Sequence, residues 1–424
     1  MRSFRRVVVT GVGAVTPVGN DAETTWRSLL EGRSGIGPIR SFDARGLPVR
    51  IAGEVKDFDP EAVMERKVAR RTARFAQLAV AAGREALERS GLILTAETAT
   101  GTGVILGTAG GLFASGYQER LLQERGAHRV DPLFVARAAA HMAAARVGRV
   151  LGLRGPNTTV NSACASGLDA IGQAFNWIRT GQADVVLAGG SESVMHPVGV
   201  ASMAITGALS QRNHEPERAS RPFDRERDGF VLAEGAGLLV LESEEHALRR
   251  GAPMLAEVLG TGWSFDAADD TAPDASGQAL AMRRALDDAG LAPEAIQWVK
   301  AHGTSTPLND RTETAALKQV FGGHARKLAI SSVKSMIGHT ASASGGVEAV
   351  AAVMALRDQT APPTINYENP DPECDLDYVP NVARPMAIEA LLANAFGLGG
   401  QNASLVLARY ATGGPQADGR RPPE

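Results

Sequence analysis

Short apolar runs alternate with alanine-rich helical patterns along most of this chain, and that alternation restricts the folds open to it. Runs at 7–10, 104–106, 185–188, 238–241, 298–301, 328–330 and 405–408 have the character of buried strands. Patterns of helical period lie between them, at 74–89, 277–289 and 346–356. Strands that are apolar on both faces need cover on both faces, so an α/β protein with layered, buried sheets is expected. A length of 424 residues accommodates one large α/β unit or two ordinary domains.

A weak internal echo runs through the sequence. Gly235-Ala236-Gly237-Leu238-Leu239-Val240-Leu241 closes one stretch, and Gly399-Gly400-Gln401-Asn402-Ala403-Ser404-Leu405-Val406-Leu407 closes another. Each is a glycine-bearing turn feeding a strand. A duplicated half with its joint near 249–253 explains the pair, and so does chance. The duplication divides the chain into halves at 1–252 and 253–410, with a tail at 411–424 rich in Gly, Pro and charge and expected to be disordered.

A formal charge of −3 argues against a general nucleic-acid binder. The chain has 2 cysteines, Cys164 and Cys374, too few for a disulfide framework, which fits a reducing compartment. Residues 2–13 imitate a secretory leader, but the glycines, Thr10 and Thr16 interrupt the apolar run and no cleavage pattern follows Pro17. No uninterrupted run approaches the roughly 18 apolar residues of a membrane span. A soluble cytoplasmic protein is expected.

Covalent chemistry points to Asn161-Ser162-Ala163-Cys164-Ala165-Ser166-Gly167. A strand-like segment (157–160) leads in, and Leu168, Ile171, Phe175 and Ile178 mark one apolar helix face leading out. Cys164 near a helix N-terminus is expected to favour the thiolate. On this segment alone, a small buried hydrophobe and a nucleophile are equally good readings. Two histidines stand in comparable loops after strands: His302 in His302-Gly303-Thr304-Ser305-Thr306-Pro307, and His339 in Lys334-Ser335-Met336-Ile337-Gly338-His339. Strand carboxyl ends are where open α/β sheets place ligands. Lys334 and Glu313 read either as a solvated surface pair or as a pair that keeps both imidazoles neutral and oriented. Asn394-Ala395-Phe396-Gly397-Leu398-Gly399-Gly400 reads as a glycine-rich loop, either a plain turn or a backbone offering N–H groups to an oxyanion.

Cys164 in Ser-Ala-Cys-Ala-Ser-Gly, His302 in His-Gly-Thr-Ser-Thr-Pro and Lys334 with His339 in Lys-Ser-Met-Ile-Gly-His resemble a β-ketoacyl-[acyl carrier protein] synthase, of the elongating type II. Arg221-Pro222-Phe223-Asp224-Arg225-Glu226-Arg227-Asp228-Gly229-Phe230 and Pro362-Pro363-Thr364-Ile365-Asn366 extend the resemblance, which covers about residues 5–410. It implies a thiolase-like fold of two similar α/β halves, layered α-β-α-β-α, usually a homodimer. It implies that Cys164 accepts an acyl chain and that His302 and His339 promote decarboxylation of malonyl-carrier. Lys334 and Glu313 match the supporting pair, and the N–H groups of Cys164 and Phe396 match the oxyanion hole. Thr304 and Thr306 match contacts to the pantetheine arm. No metal or redox cofactor is implied, because loss of CO2 drives the reaction. The partner implied is an acidic acyl carrier protein, so a basic docking surface is expected. Arg66, Lys67, Arg70, Arg71 and Arg74 form the densest basic run; Lys67, Arg70 and Arg71 match the family's docking helix, and Arg129 joins the same surface.

The chain departs from the family at the substrate pocket. Leu398 stands where elongating members carry a gating Phe. Ala109, in a loop one residue shorter than usual, replaces a bulkier aliphatic, and Met203 stands where an aromatic is common. Asp269 occupies a place often held by His in 264–271, and Thr271, which ends that segment, is expected to contact substrate. These departures suggest a pocket altered for longer, stiffer or unsaturated chains, as in ketosynthases of type II polyketide or polyene pathways, alone or beside a chain-length-factor partner. Rival classes find little support. Cys374 lies in an acidic turn, where a thiolase's second cysteine does not belong. Gly11-Val12-Gly13 lacks the third glycine of a dinucleotide fingerprint, and Ser193 breaks the hydrolase elbow at Gly189-Gly190-Ser191-Glu192.

Overall fold

The computed structural model describes residues 4–111 and 115–412. Residues 413–424, most of the segment expected to be a disordered tail, lie outside the described residues. The apolar runs become strands: β1 (Val7–Val15), β2 (Thr102–Gly107), β3 (Asn157–Val160), β4 (Val185–Glu192), β5 (Gly235–Ser243), β6 (Ala256–Phe265), β7 (Trp298–Lys300), β8 (Ala329–Ser331), β9 (Ala390–Phe396) and β10 (Gln401–Ala408). These 10 strands join in the order β8-β7-β9-β10-β6-β1-β5-β4-β2-β3.

Outward from its centre the sheet repeats itself. β1 runs antiparallel to β5 and β5 to β4, while β4, β2 and β3 run parallel. β6, β10, β9, β7 and β8 follow the same sequence of senses. An antiparallel pairing of β1 with β6 joins the two sets. The echoing glycine-strand segments are β5 and β10, which occupy equivalent places.

The helices that position the site are α1 (Arg74–Ser90), α2 (Ser166–Arg179), α3 (Ala275–Ala289), α4 (Pro307–Phe321) and α5 (Ser344–Asp358). α1 packs outside β1 and β5, and α3 packs outside β6 and β10. α2 and α5 lie against each other and against strands of both halves, giving the α-β-α-β-α arrangement. A helix in the middle layer meets protein all round, so α5 is buried at every position from Ser344 to Leu356.

Glycines set how closely the outer helices sit. A Cβ on Gly11 or Gly13 would stand 2.1 or 2.0 Å from a carbonyl oxygen of α1, at Ala86 or Ala82. Gly260 and Gly262 of β6 meet α3 in the same way, at 2.6 Å from the Ala285 oxygen and 2.2 Å from that of Ala281. The Gly-Val-Gly of β1 is therefore a helix seat, repeated in the second half. Among the described residues no helix is long and apolar enough to cross a membrane.

Candidate active site

Cys164 sits in the 3-10 turn Ala163–Ala165 that enters α2. Ala163 has φ 51°, a left-handed conformation that turns the thiol out of the strand-to-helix junction. The Ser166 hydroxyl fixes the turn: it accepts from the Ser162 N–H at 2.9 Å and donates to the Ala163 carbonyl at 2.6 Å. The thiolate expectation needs correcting. Burial pushes the Cys164 thiol up, and the Leu398 N–H on the sulfur with the Lys334 charge only partly oppose it. With the thiol pushed up by burial, deprotonation falls to a neighbouring base.

That neighbour is His339. Its Nε2 stands 3.2 Å from the Cys164 sulfur, and its Nδ1 stands 2.8 Å from the Ser344 hydroxyl. The His339 backbone is clamped on both sides: its N–H donates to the Val231 carbonyl at 2.7 Å, and its carbonyl accepts from the Ala233 N–H at 2.9 Å. Phe230 stands edge-on at 5.2 Å, and the His302 ring lies 5.4 Å away at 84°. Phe396 closes the other side of His302 at 5.7 Å. Burial and nearby Lys334 and Lys300 hold both imidazoles well below their usual range, so both are neutral.

The pairing of Lys334 with Glu313 is also corrected. Lys334 pairs with Glu348 of α5, while its Nζ donates to the His302 carbonyl at 2.7 Å and lies 3.4 Å from Nδ1 of that ring. Glu313, from α4, instead accepts the N–H groups of His302 and Gly303, both at 2.8 Å, and fixes the loop. Sequence reasoning missed Glu348 and Ser344. They stand four apart, hence on one face of α5, and Glu348 is the single charged residue among 344–356. A lone carboxylate in an apolar helix was the signal, because such a group must find a partner. Lys300, buried at the end of β7, was missed too and also pairs with Glu348.

Above this floor, β9 runs on through Phe396, so the glycine-rich loop begins only at Gly397. Gly397 N–H donates to the Gln401 carbonyl at 2.7 Å, and antiparallel alternation then turns the Phe396 N–H away from β10. A Cβ on Gly397 would sit 2.5 Å from the Ser162 carbonyl, so only glycine lets this loop reach the nucleophile turn. Leu398 is 66% exposed, and its backbone N–H meets the Cys164 sulfur, so the oxyanion donor expected of Phe396 is corrected to Leu398, two residues on, where the loop crosses the nucleophile turn. Thr271 is exposed and, among the described residues, bonds to Asp269, while its loop accepts the Gly399 N–H through the Asp270 carbonyl at 2.9 Å.

Thr304 and Thr306 stand together, with hydroxyls 3.0 Å apart, and Thr306 caps α4. Ala109 donates its N–H to Glu192 at 2.8 Å, and Met203 joins an apolar cluster with Met195, Phe230 and Ala341. A cavity of about 500 Å³ lies beside them, lined by Gly110, Gly111, Phe134, Ser193 and Met195 but not by Ala109 or Met203. Lys67, Arg70, Arg71 and Arg129 are exposed. Arg74 is not free for docking, because it pairs with Glu234 at 3.0 Å. Cys374 is buried and its thiol is pushed up to about 12, away from the site's chemistry.

A duplicated α/β fold with a thiol at one central helix and neutral imidazoles beside the other defines a thiolase-fold condensing enzyme. The models of the β-ketoacyl synthase N-terminal and C-terminal domains match residues 4–247 and 255–368. The chain belongs to the β-ketoacyl synthase family. It is 47% identical over 409 residues to the 3-oxoacyl-[acyl-carrier-protein] synthase 2 of Synechocystis sp., covering 96% of this chain and 98% of that one. The solved ishigamide ketosynthase/chain length factor aligns with a TM-score of 0.89 and 38% identity, over 96% of this chain and 100% of that one. A type II PKS ketosynthase, solved with its acyl-carrier protein and bound to the hexaketide, aligns at 0.87 and 34% with the same coverage.

Proposed function

We propose that this enzyme catalyses the decarboxylative Claisen condensation of fatty acid elongation, with Cys164 as the acyl acceptor. Cys164 takes the acyl chain from an acyl carrier protein as a thioester, its proton passing by way of His339 Nε2 to the departing pantetheine sulfur, which leaves as the thiol. Malonyl-carrier then enters. Its thioester carbonyl accepts hydrogen bonds from the two imidazoles, loss of CO2 leaves an enolate, and those donors stabilise the charge as it develops. The carbanion attacks the Cys164 thioester, whose oxyanion receives the Cys164 and Leu398 N–H groups, the two that already face the sulfur. Cys164 leaves as the thiolate and takes up a proton from water, and the chain is longer by two carbons. The driving force is CO2 loss, so this reading assigns no metal or redox cofactor.

The observation that carries this reading is the 3.2 Å contact between His339 Nε2 and the Cys164 sulfur, with His302 beside it. We assign Thr304 and Thr306 to the pantetheine arm. Carrier docking falls to Lys67, Arg70, Arg71 and Arg129, whose exposed charge complements an acidic partner. A homodimer is proposed; the exposed Tyr117, Leu122, Val135, Val198 and Ile205 offer apolar surface for it. The cytoplasm is its proposed location. Leu398 in place of the gating Phe, together with the ishigamide and hexaketide relatives, favours a second reading: a polyene or polyketide ketosynthase, homodimeric or paired with a chain-length-factor-like subunit. Intact-mass analysis after exposure to a panel of acyl-carriers, with and without malonyl-carrier, tests both. Saturated acyl adducts that extend support fatty acid elongation, and selective polyene adducts support the second reading. No adduct on Cys164 with any acyl group rejects both.

A further inference from the structure

We infer that Lys300 is a positioning residue for the carbanion-forming half-reaction, its ammonium sharing the Glu348 carboxylate with Lys334 and balancing the charge beneath the two imidazoles. The inference rests on the function proposed above.

Lys300 is the last residue of β7, the strand that delivers His302. Period-2 alternation sends Trp298, Lys300 and His302 to one side of the strand, and Trp298 belongs to the core around the central helices. Lys300 is completely buried there. Its Nζ meets the Glu348 carboxylate and the carbonyl of Asn394 on β9. The other Glu348 oxygen meets Lys334, which in turn holds His302. Glu348 is thus a bridge between two ammonium groups, one facing the reacting imidazole and one beneath it.

An ammonium taken out of water at this depth costs several kcal/mol, and an apolar chain of similar length would fill the same space without that cost. Packing alone does not account for it; the charge balance does. The groups facing Lys300 are Glu348 from α5, Glu313 from α4, Lys334 from the His339 loop, and the two neutral imidazoles. Glu348 is a carboxylate shared by two ammonium groups, while burial pushes the Glu313 carboxyl up. Loss of the Lys300 charge makes this cluster one unit more negative under the place where the enolate's own charge develops, which opposes that step. Acylation of Cys164 builds its oxyanion at the backbone N–H groups instead and depends on this balance much less. Burial lowers the Lys300 ammonium to about 8, against the pull of Glu348, so the balance is lost as pH rises through about 8.

The test separates the half-reactions. Malonyl-carrier decarboxylation is followed by CO2 release without an acyl acceptor, and Cys164 acylation by intact mass, both from pH 6.5 to 9.5. In the wild type, decarboxylation is expected to fall about tenfold across pH 8, the order expected for one unit charge acting through the protein interior at a moderate effective dielectric. Lys300→Met is expected to run near the wild type's high-pH rate at every pH, with acylation within about threefold of normal. Lys300→Gln keeps an N–H donor for the Asn394 carbonyl without the charge; it guards against misfolding of the Met variant and is expected to be equally flat. A neutral variant that keeps the alkaline fall overturns the inference. So does an equal loss in both half-reactions, which marks Lys300 as a support of the fold only. A wild type that neither acylates Cys164 nor decarboxylates malonyl-carrier sinks the functional reading itself.

Discussion

The turn that enters α2 and the turn that enters α5 share a backbone and divide the chemistry. Asn161-Ser162-Ala163-Cys164-Ala165-Ser166-Gly167 and His339-Thr340-Ala341-Ser342-Ala343-Ser344-Gly345 correspond position by position. In both, the third residue is an alanine with positive φ, 51° at Ala163 and 48° at Ala341. In both, a 3-10 turn runs into a central helix that starts on a serine. The side chains then part company. Cys164 reaches the substrate side, while its counterpart Ser342 is buried and bonds to Glu192. His339 replaces Asn161 and brings the base to the thiol. Ser344 orients that base, whereas Ser166 only braces its own turn. Duplication supplied two equivalent turns at one centre, and side-chain identity with burial decided that one carries the nucleophile and the other its base.

Removing the asymmetry is the sharpest challenge to this comparison. Cys164→Ala is expected to cut condensation by about 10³-fold or more, while malonyl decarboxylation, which uses the imidazoles, continues. Radiolabelled chain extension alongside CO2 release checks both. His339→Asn, which makes the second turn resemble the first, is expected to lower condensation by about 10² to 10⁴-fold with fold and melting temperature preserved. Wild-type kinetics in that variant would show the base to lie elsewhere.

Glu192 probes what lies behind Ser342. Burial raises its carboxyl from 4.5 to about 7, so between those values the folded state holds a proton that the unfolded state has released. The stabilisation is present below 4.5 and lost as pH rises through 7, by up to about 3 kcal/mol. Urea midpoints from pH 4 to 8 are expected to fall in the wild type and to flatten in Glu192→Gln. Ser344→Ala removes the partner of His339 Nδ1 and is expected to slow Cys164 acylation about three- to tenfold, the size of one neutral hydrogen bond. Last, Ser342→Cys restores the sequence symmetry without the access. Mass analysis is expected to find no second acyl adduct, and a second adduct would mean that burial does not separate the two turns.

Much of this was legible in the residues. The apolar runs located seven of the strands, because a strand covered on both faces has almost no polar positions. β6 and β9 were hidden for opposite reasons. Gly260 and Gly262 thin the apolar signal of β6, and Asn394 and Phe396 of β9 read as part of the glycine-rich loop. Cys164, His302, His339 and Lys334 were legible because each stands in a distinctive motif at a strand end. Glu348 and Lys300 were not, since neither has a motif and each matters only through a partner far away in sequence.

The sequence by itself determined the layered architecture, the family and the reacting groups, because these follow from local pattern and from side-chain type. Only the tertiary structure decided which carboxylate meets Lys334, that Leu398 points outward, and that the thiol is held protonated. Those are matters of desolvation and of distance between segments tens to hundreds of residues apart. Charge pairing in a buried site depends on the shared interior, which no stretch of chain contains alone.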